Sequence, residues 1–195
     1  MIRLGFVTSN LNKLREAQIV VSRYGIELYP LKVRKVEIQS DSLEEIAIYA
    51  AKKAFELARK PLVVEDAGLF IDALRGFPGP YSSYVYKTIG VEGVLKLMKG
   101  IENRRARFIA VVALAISSTR IEVFRGVVEG TITDEPRGSG GFGFDPIFVP
   151  QGHEKTFAEM STEEKCMISH RARAFEAMAR WIRENVQILK PSTST

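Results

Sequence analysis

The run Leu62-Val63-Val64 leads directly into Glu65-Asp66-Ala67-Gly68-Leu69. A short apolar, β-branched run reads as a buried strand. Two adjacent carboxylates at its end are costly to desolvate unless cations or hydrogen bonds meet them. Any fold of this chain must therefore bring that strand end to a place where negative charge is used. A hard metal ion is the plainest partner for it.

The rest of the chain is compatible with one such place. Its 195 residues suffice for one substantial α/β domain, or for two small lobes around a cleft. The sequence is 46% apolar and 26% charged, an ordinary balance for a globular chain, and no apolar run approaches the roughly 20 residues that span a bilayer. Met1–Val7 is too short for a signal peptide and reads as a first strand. Cys166 is the only cysteine, which excludes an intrachain disulfide and suits a reducing, cytoplasmic location. The net charge of +5 admits an anionic partner. Its basic residues, among them Lys32, Arg34, Lys35 and Arg104, interleave with carboxylates rather than forming the concentrated stripe of a nucleic-acid-binding surface.

Periodicity supplies the frame. A helix is expected from about Leu11 to Tyr24, stopped by Gly25, with a strand over Ile26–Leu31. Ser42-x-x-Glu45 resembles a capping box, and Leu43, Ile46, Ala50, Ala54 and Leu57 then recur at helical spacing. After the strand at Leu62–Glu65, extended chain over Gly68–Leu74 is expected to reach a turn at Gly76-Phe77-Pro78-Gly79-Pro80. Two short helices meet at Gly90, and Arg105–Ser117 pairs with Ile121–Gly130 as antiparallel strands. Asp134–Gly143 reads as a loop. Ser161-x-x-Glu164 caps another helix, and Ser169-His170-Arg171 opens the last long one, whose stripe is Phe175, Met178, Ile182 and Val186. A tail from about residue 187 to 195 has little to bury, and the whole of 1–195 reads as one domain.

Three further segments carry chemistry. Thr8-Ser9-Asn10-Leu11-Asn12-Lys13 lies at a strand-to-helix junction, where hydroxyls, an amide, helix N–H groups and a lysine can hold phosphate. Its bland alternative is a helix capped by Asn10. Ser139-Gly140-Gly141-Phe142-Gly143-Phe144-Asp145-Pro146 joins bare backbone to aromatic rings that could stack on a base, or could simply fill a core. Ser169-His170-Arg171 and Lys165 offer donors, or else a helix cap and surface charge. Glu65 and Asp66 themselves divide between metal ligation and general-base work. Consecutive strand residues point to opposite faces, so the two act together only if the strand ends between them. Glu37 is a third oxygen donor, which would make three acidic candidates.

Taken in order, Thr8-Ser9-Asn10-x-x-Lys13, Glu65-Asp66-x-Gly68-Leu69, Gly76-Phe77-Pro78-Gly79-x-Tyr81-Ser82, Phe142-Gly143-Phe144-Asp145-Pro146, Thr156-Phe157-Ala158-Glu159-Met160, Lys165 and Ser169-His170-Arg171 resemble the inosine triphosphate pyrophosphatase family, over about residues 2 to 186. The resemblance implies an elongated mixed β-sheet flanked by helices, two lobes around a central substrate cleft, and a homodimer. It implies Mg²⁺-dependent hydrolysis of ITP, dITP or XTP to the monophosphate and pyrophosphate, with no stable nucleic-acid partner and no membrane. By position, Thr8, Ser9, Asn10, Leu11, Asn12 and Lys13 would hold the phosphates. Glu37 and Asp66 would bind Mg²⁺, and Asp66 would be the proton acceptor. Phe142, Gly143, Phe144 and Asp145 would enclose base and sugar, Ala67 would contact substrate through its N–H, Lys165 would meet phosphate, and His170 and Arg171 would read the base. Ala67 stands where the family commonly has serine, leaving only a backbone N–H there. The alternatives are a pyrophosphatase for other modified or standard triphosphates, or a basic nucleic-acid-binding module.

Overall fold

The computed structural model describes residues 2–189. Its strands are β1 (Ile2–Phe6), β2 (Ile26–Pro30), β3 (Leu62–Ile71), β4 (Pro78–Gly79), β5 (Arg105–Ala115), β6 (Ile121–Ile132) and β7 (Phe148–Pro150). The helices are α1 (Leu11–Ser22), α2 (Leu43–Ala58), α3 (Ser82–Thr88), α4 (Gly90–Leu97), α5 (Thr162–Ile168) and α6 (His170–Glu184). One sheet runs β2-β1-β3-β5-β6-β7, with β4 added to β3. β1 is parallel to both β2 and β3, and every other pairing is antiparallel, so the sheet is mixed.

β3 is the central strand, and its length corrects the sequence reading. It does not end at Glu65 but runs ten residues to Ile71, because β5 pairs with it from Leu62↔Ala115 to Ile71↔Ala106. The extended segment expected up to Leu74 stops at Ile71, where Asp72–Leu74 turn as a 3₁₀-helix. On its other edge β3 has partners only at its ends: β1 at Leu62 and Val63, and β4 at Leu69 and Phe70. Residues 64–68 have no strand beside them there, and the cleft opens at this gap.

Alternation along β3 sorts three apolar clusters. Leu62 and Val64 face α2 together with Ala47, Ala50, Ala51 and Ala54. Val63 faces the opposite side, against α1 and α6 with Phe6, Val20, Phe175 and Met178. Leu69 and Ile71 share the face of Val63, yet they belong to a different cluster, with Val94, Met98, Phe108, Phe148 and Phe157. Glu65 and Ala67 therefore sit at the seam between two hydrophobic cores. This is the physical form of the two lobes.

Local signals explain the helix ends. Asn10 caps α1 by accepting from the Asn12 and Lys13 N–H groups, and Gly25 takes φ +73° after the helix. At Ser42 the expected capping box is half formed. Its Oγ accepts from the Glu45 N–H, but the Glu45 carboxylate takes the Ser40 hydroxyl instead. The box at Ser161 is complete, with Glu164 returning the bond. The helix α6 ends at Glu184, so Val186 belongs not to its stripe but to a 3₁₀ turn over Val186–Leu189. Of the expected tail, residues 190–195 lie outside the described residues.

α6 rests on β6 at Gly126, which pairs with Ala110 of β5. A Cβ on Gly126 would lie 2.0 Å from the His170 carbonyl oxygen and 2.6 Å from the Ala174 nitrogen. Gly126→Ala is therefore expected to push the start of α6 off the sheet. The expected loss is about 1–3 kcal/mol of stability, read as a lowered denaturation midpoint. An unchanged midpoint would contradict this packing.

Candidate active site

A cleft of about 1120 Å³ opens at the gap in β3. Its walls come from the β1–α1 turn, residues 30–37, β3, the start of α3, the loop at 142–145, and the α5–α6 junction. Of the residues expected to bind substrate or metal, all but Asn12 line it. Asn12 points into solvent, because the first turn of α1 carries it away from β3.

The cap on α1 alters the phosphate reading of the Thr8–Lys13 segment. Two of the N–H groups that would meet phosphate, those of Asn12 and Lys13, already donate to Asn10 Oδ1, at 3.0 and 3.3 Å. Thr8 Oγ1 accepts from the Asn10 N–H at 3.1 Å and keeps its own hydrogen to donate. Thr8, Ser9 and the Lys13 ammonium are the groups this segment presents to the cleft.

Glu65 and Asp66 part company. On one face, Glu65 is buried and joins a chain of six acidic and basic side chains. Lys13 Nζ lies 2.8 Å from Glu65 Oε2, and Arg171 meets Glu65 Oε1 at 2.9–3.0 Å. Arg171 also meets Glu16 Oε2 at 2.6 Å, Glu16 Oε1 meets Lys165 at 2.7 Å, and Lys165 meets Asp145 Oδ2 at 2.6 Å. Signs alternate along the chain, with three cations and three anions. Burial alone would raise the Glu65 pKa, but Arg171 and Lys13 hold it down to about 2. Burial alone would likewise raise the Glu16 pKa, but Arg171 and Lys165 keep it below the ordinary value. The Lys13 contact lies outside hydrogen-bond angles, so Glu65 Oε2 has charge compensation but no formal donor.

This chain already engages several of the expected site residues. Lys165 does not reach outward for phosphate, because its buried ammonium is shared by Glu16 and Asp145. Asp145 is buried and accepts from Lys165 and, at 2.8 Å, from the Phe142 N–H. Gly141 is required there: at φ +67°, its Cβ would fall 2.1 Å from Asp145 Oδ2. Phe144 is not a free stacking face. It is buried in a core, with its ring edge-on to Tyr86 at 5.6 Å. Phe142 stays half-buried on the cleft, with Lys165 and Arg171 4.8 and 5.3 Å from its ring centre. Arg171 is neither a solvated residue nor a free reader, since Glu16 and Glu65 hold its guanidinium. His170 is buried and stacked on Phe108, rings 4.6 Å apart. Burial and the nearby Arg171 and Lys165 keep it neutral, and its Nδ1 has no partner.

On the other face of β3, Asp66 meets a different set. Lys35 Nζ lies 3.7 Å from Asp66 Oδ1 and 2.5 Å from Glu37 Oε1, and it donates to the Glu65 carbonyl at 3.2 Å. Burial lifts the Asp66 pKa to about 6 against the pull of Lys35 and Lys13. The oxygens of Glu37 and Asp66 already surround one cation, the Lys35 ammonium, so the donor set suits a hard ion. Glu65 cannot join it as a third acid, since the strand turns its side chain to the opposite face. Among the described residues no group of three or more His, Cys, Asp or Glu is arranged to hold a metal. Two carboxylates, with the remaining positions left to water and phosphate oxygens, match the habit of Mg²⁺.

The open edge of β3 also presents backbone. The Val63 carbonyl on this edge accepts from the Val7 N–H, and the Leu69 N–H donates to Ser82 Oγ at 2.8 Å. Alternation then turns the N–H and C=O of Ala67, between them, toward the cleft. Sequence reasoning missed Glu16, Lys35, Ser82 and Phe108. Glu16 left one trace, an acid among Ala17, Val20 and Val21 on the buried face of α1. Lys35 left none within the run Lys32, Arg34, Lys35.

The Ham1 family profile matches residues 4–181, and the chain belongs to that family. It is 57% identical over 176 residues to a dITP/XTP pyrophosphatase of Ignicoccus hospitalis, covering 90% of this chain and 94% of that protein. It is 53% identical to one from Thermococcus kodakarensis, covering 95% and 100% respectively. Among solved structures, a HAM1 protein from Coxiella burnetii superposes with a TM-score of 0.84 at 32% identity, over 94% of this chain and all of that one.

The electrostatics give two opposed pH effects, both to be read on chelator-treated protein. Glu65 has a folded pKa near 2 against 4.5 in the unfolded chain, so its stabilisation is present above pH 4.5 and is lost as pH falls toward 2. Asp66 runs the other way: its folded pKa near 6 exceeds 3.8, so its contribution is lost as pH rises through 6. Asp66→Asn is therefore expected to raise stability at pH 8, by up to about 3 kcal/mol, read as a higher melting temperature. Glu65→Gln is expected to lower stability by about 3–5 kcal/mol, since it strands Arg171. Equal effects of the two substitutions would contradict the split between the faces.

Proposed function

We propose that this chain hydrolyses non-standard purine nucleoside triphosphates, ITP, dITP and XTP, to the monophosphate and pyrophosphate. The observation that carries this reading is a single cleft lined by both the Asp66–Glu37 acid pair and the Thr8–Lys13 segment. The relatives named dITP/XTP pyrophosphatase support it at about half identity over nearly the whole chain.

In this reading, Thr8, Ser9 and Lys13 hold the polyphosphate, with Lys32 and Lys87 adding positive charge to the same cleft. Glu37 and Asp66 are the residues that would hold Mg²⁺, which neutralises phosphate charge and lowers the pKa of water. Asp66 takes the proton from the attacking water. In the metal-free protein burial holds its pKa near 6, so the carboxylate is ionised at neutral pH. The base lies against Phe142 and beside His170 Nδ1, the buried group without a partner. As a neutral imidazole, His170 can donate to the O6 of hypoxanthine or xanthine. Adenine offers an amino group there instead. A site built on a required polar contact rejects the wrong partner by roughly 10⁴–10⁵. Arg171 and Lys165 act from behind, fixing His170 and Phe142 rather than contacting phosphate.

A homodimer and a cytoplasmic location, where the nucleotide pool lies, belong to the same proposal. Tyr84, Ile89 and Leu97, large apolar side chains exposed on α3, α4 and the turn between them, support self-association.

The test is pyrophosphate release from ITP, XTP, GTP and ATP, with and without Mg²⁺, by wild type and Asp66→Asn. The expected result is turnover of ITP and XTP that needs the metal, and a loss of at least about 10²-fold in kcat on Asp66→Asn. Equal rates on all four substrates would overturn the specificity. A wild-type rate in Asp66→Asn would overturn the role of Asp66.

A further inference from the structure

Lys35 occupies a position that no part of the preceding mechanism uses. Its ammonium is ringed by oxygen alone: Glu37 Oε1 at 2.5 Å, the Glu65 carbonyl at 3.2 Å and Asp66 Oδ1 at 3.7 Å. Two carboxylates and a backbone carbonyl form the hard-oxygen surroundings that a divalent cation takes. The lysine reaches them from residues 31–40, a stretch without helix or strand, and its side chain retains 22% exposure. It is therefore pinned by charge rather than by packing, and a four-carbon stem lets the ammonium leave without moving the backbone.

We propose that Lys35 is a built-in occupant of the divalent-cation position, holding Glu37 and Asp66 together until a metal ion displaces it. The inference rests on the metal reading given above and extends it to a residue that sets metal affinity. A dication and an ammonium cannot share one set of oxygens, because like charges a few ångströms apart repel strongly in a partly buried site. Loading the metal must break the contacts of Lys35, and that cost weakens binding to the nucleotide-free protein. When triphosphate enters, its oxygens offer the withdrawn ammonium a new partner within the same cleft. Metal and nucleotide then favour one another, which is positive coupling between two ligands. Lys35 thus discourages the site from filling with metal while it has no substrate.

Two effects oppose each other when Lys35 is removed, and their relative size gives the sign. The acids lose an organiser, which weakens metal binding. They also lose the one cation that, among the described residues, lies within 4 Å of either carboxylate, which strengthens it. Asp66 is fixed by the paired strand β3, so little organisation is lost on its side. The second effect therefore wins.

The test is Mn²⁺ binding to the nucleotide-free, chelator-stripped protein at pH 8, followed by the electron paramagnetic resonance of free Mn²⁺. Lys35→Met is expected to bind Mn²⁺ about fivefold or more tightly than wild type, the low end of typical coupling between ligands. Lys35→Gln should behave like Lys35→Met, and circular dichroism checks that both are folded. Lys35→Arg, which keeps the cation, should stay within about twofold of wild type. Unchanged or weaker binding in both neutral variants would overturn the role of Lys35. Adding Asp66→Asn to Lys35→Met should abolish the gain. If the double variant binds Mn²⁺ as tightly as Lys35→Met alone, the metal is elsewhere, and the metal reading itself falls.

Discussion

The charge chain Asp145–Lys165–Glu16–Arg171–Glu65–Lys13 is the constraint on which the rest of the molecule depends. Six acidic and basic groups lie largely out of water at the seam between two apolar cores, and each faces neighbours of the opposite type. Hydrophobic residues of similar volume could pack such a seam at no loss of stability. What the charges add is position. They tie α1, β3, the loop at 142–145, α5 and α6 to one another at defined distances. Any side chain mounted on those elements, such as His170 or Phe142, inherits that placement.

The strand β3 then separates structure from chemistry with one step of the backbone. Glu65, turned toward α1 and α6, is held far into its ionised range and serves the chain of charges. Asp66, turned toward α2 and the open edge, is left with a raised pKa and a lysine that can move. The gap between β1 and β4 is what exposes it: a strand paired along both edges would have closed the cleft. The Ala67 backbone faces the same opening, which explains how a position without a side-chain hydroxyl can still contact a ligand.

The elements themselves were legible in the sequence because periodicity and caps are local. Asn10, Gly25, Ser161 and Ser169 mark helix ends by hydrogen bonds to residues two to four away. The continuation of β3 past Asp66 was not legible, since two carboxylates read as a strand end unless the partners that neutralise them are known. Those partners lie far off in sequence: Arg171 is 106 residues from Glu65, and Lys165 is 149 from Glu16. For the same reason the membership of the cleft could be read from motifs, while the division of labour within it could not. Lys165 and Arg171 look like ligand-binding cations until Glu16 is seen between them. The glycine-rich loop alone leaves Phe144 either a stacking ring or a core residue, and its burial against Tyr86 shows the second.

In the proposed reaction the cleft brings water to the α-phosphorus, with Asp66 as the base, and releases the two outer phosphates as pyrophosphate. The most direct measurement is a single turnover of ITP in ¹⁸O-labelled water, with products separated and weighed by mass spectrometry. Attack on the α-phosphorus leaves one ¹⁸O in the monophosphate and none in pyrophosphate. Label in pyrophosphate, or release of inorganic phosphate instead, would place the attack on another phosphorus and contradict it.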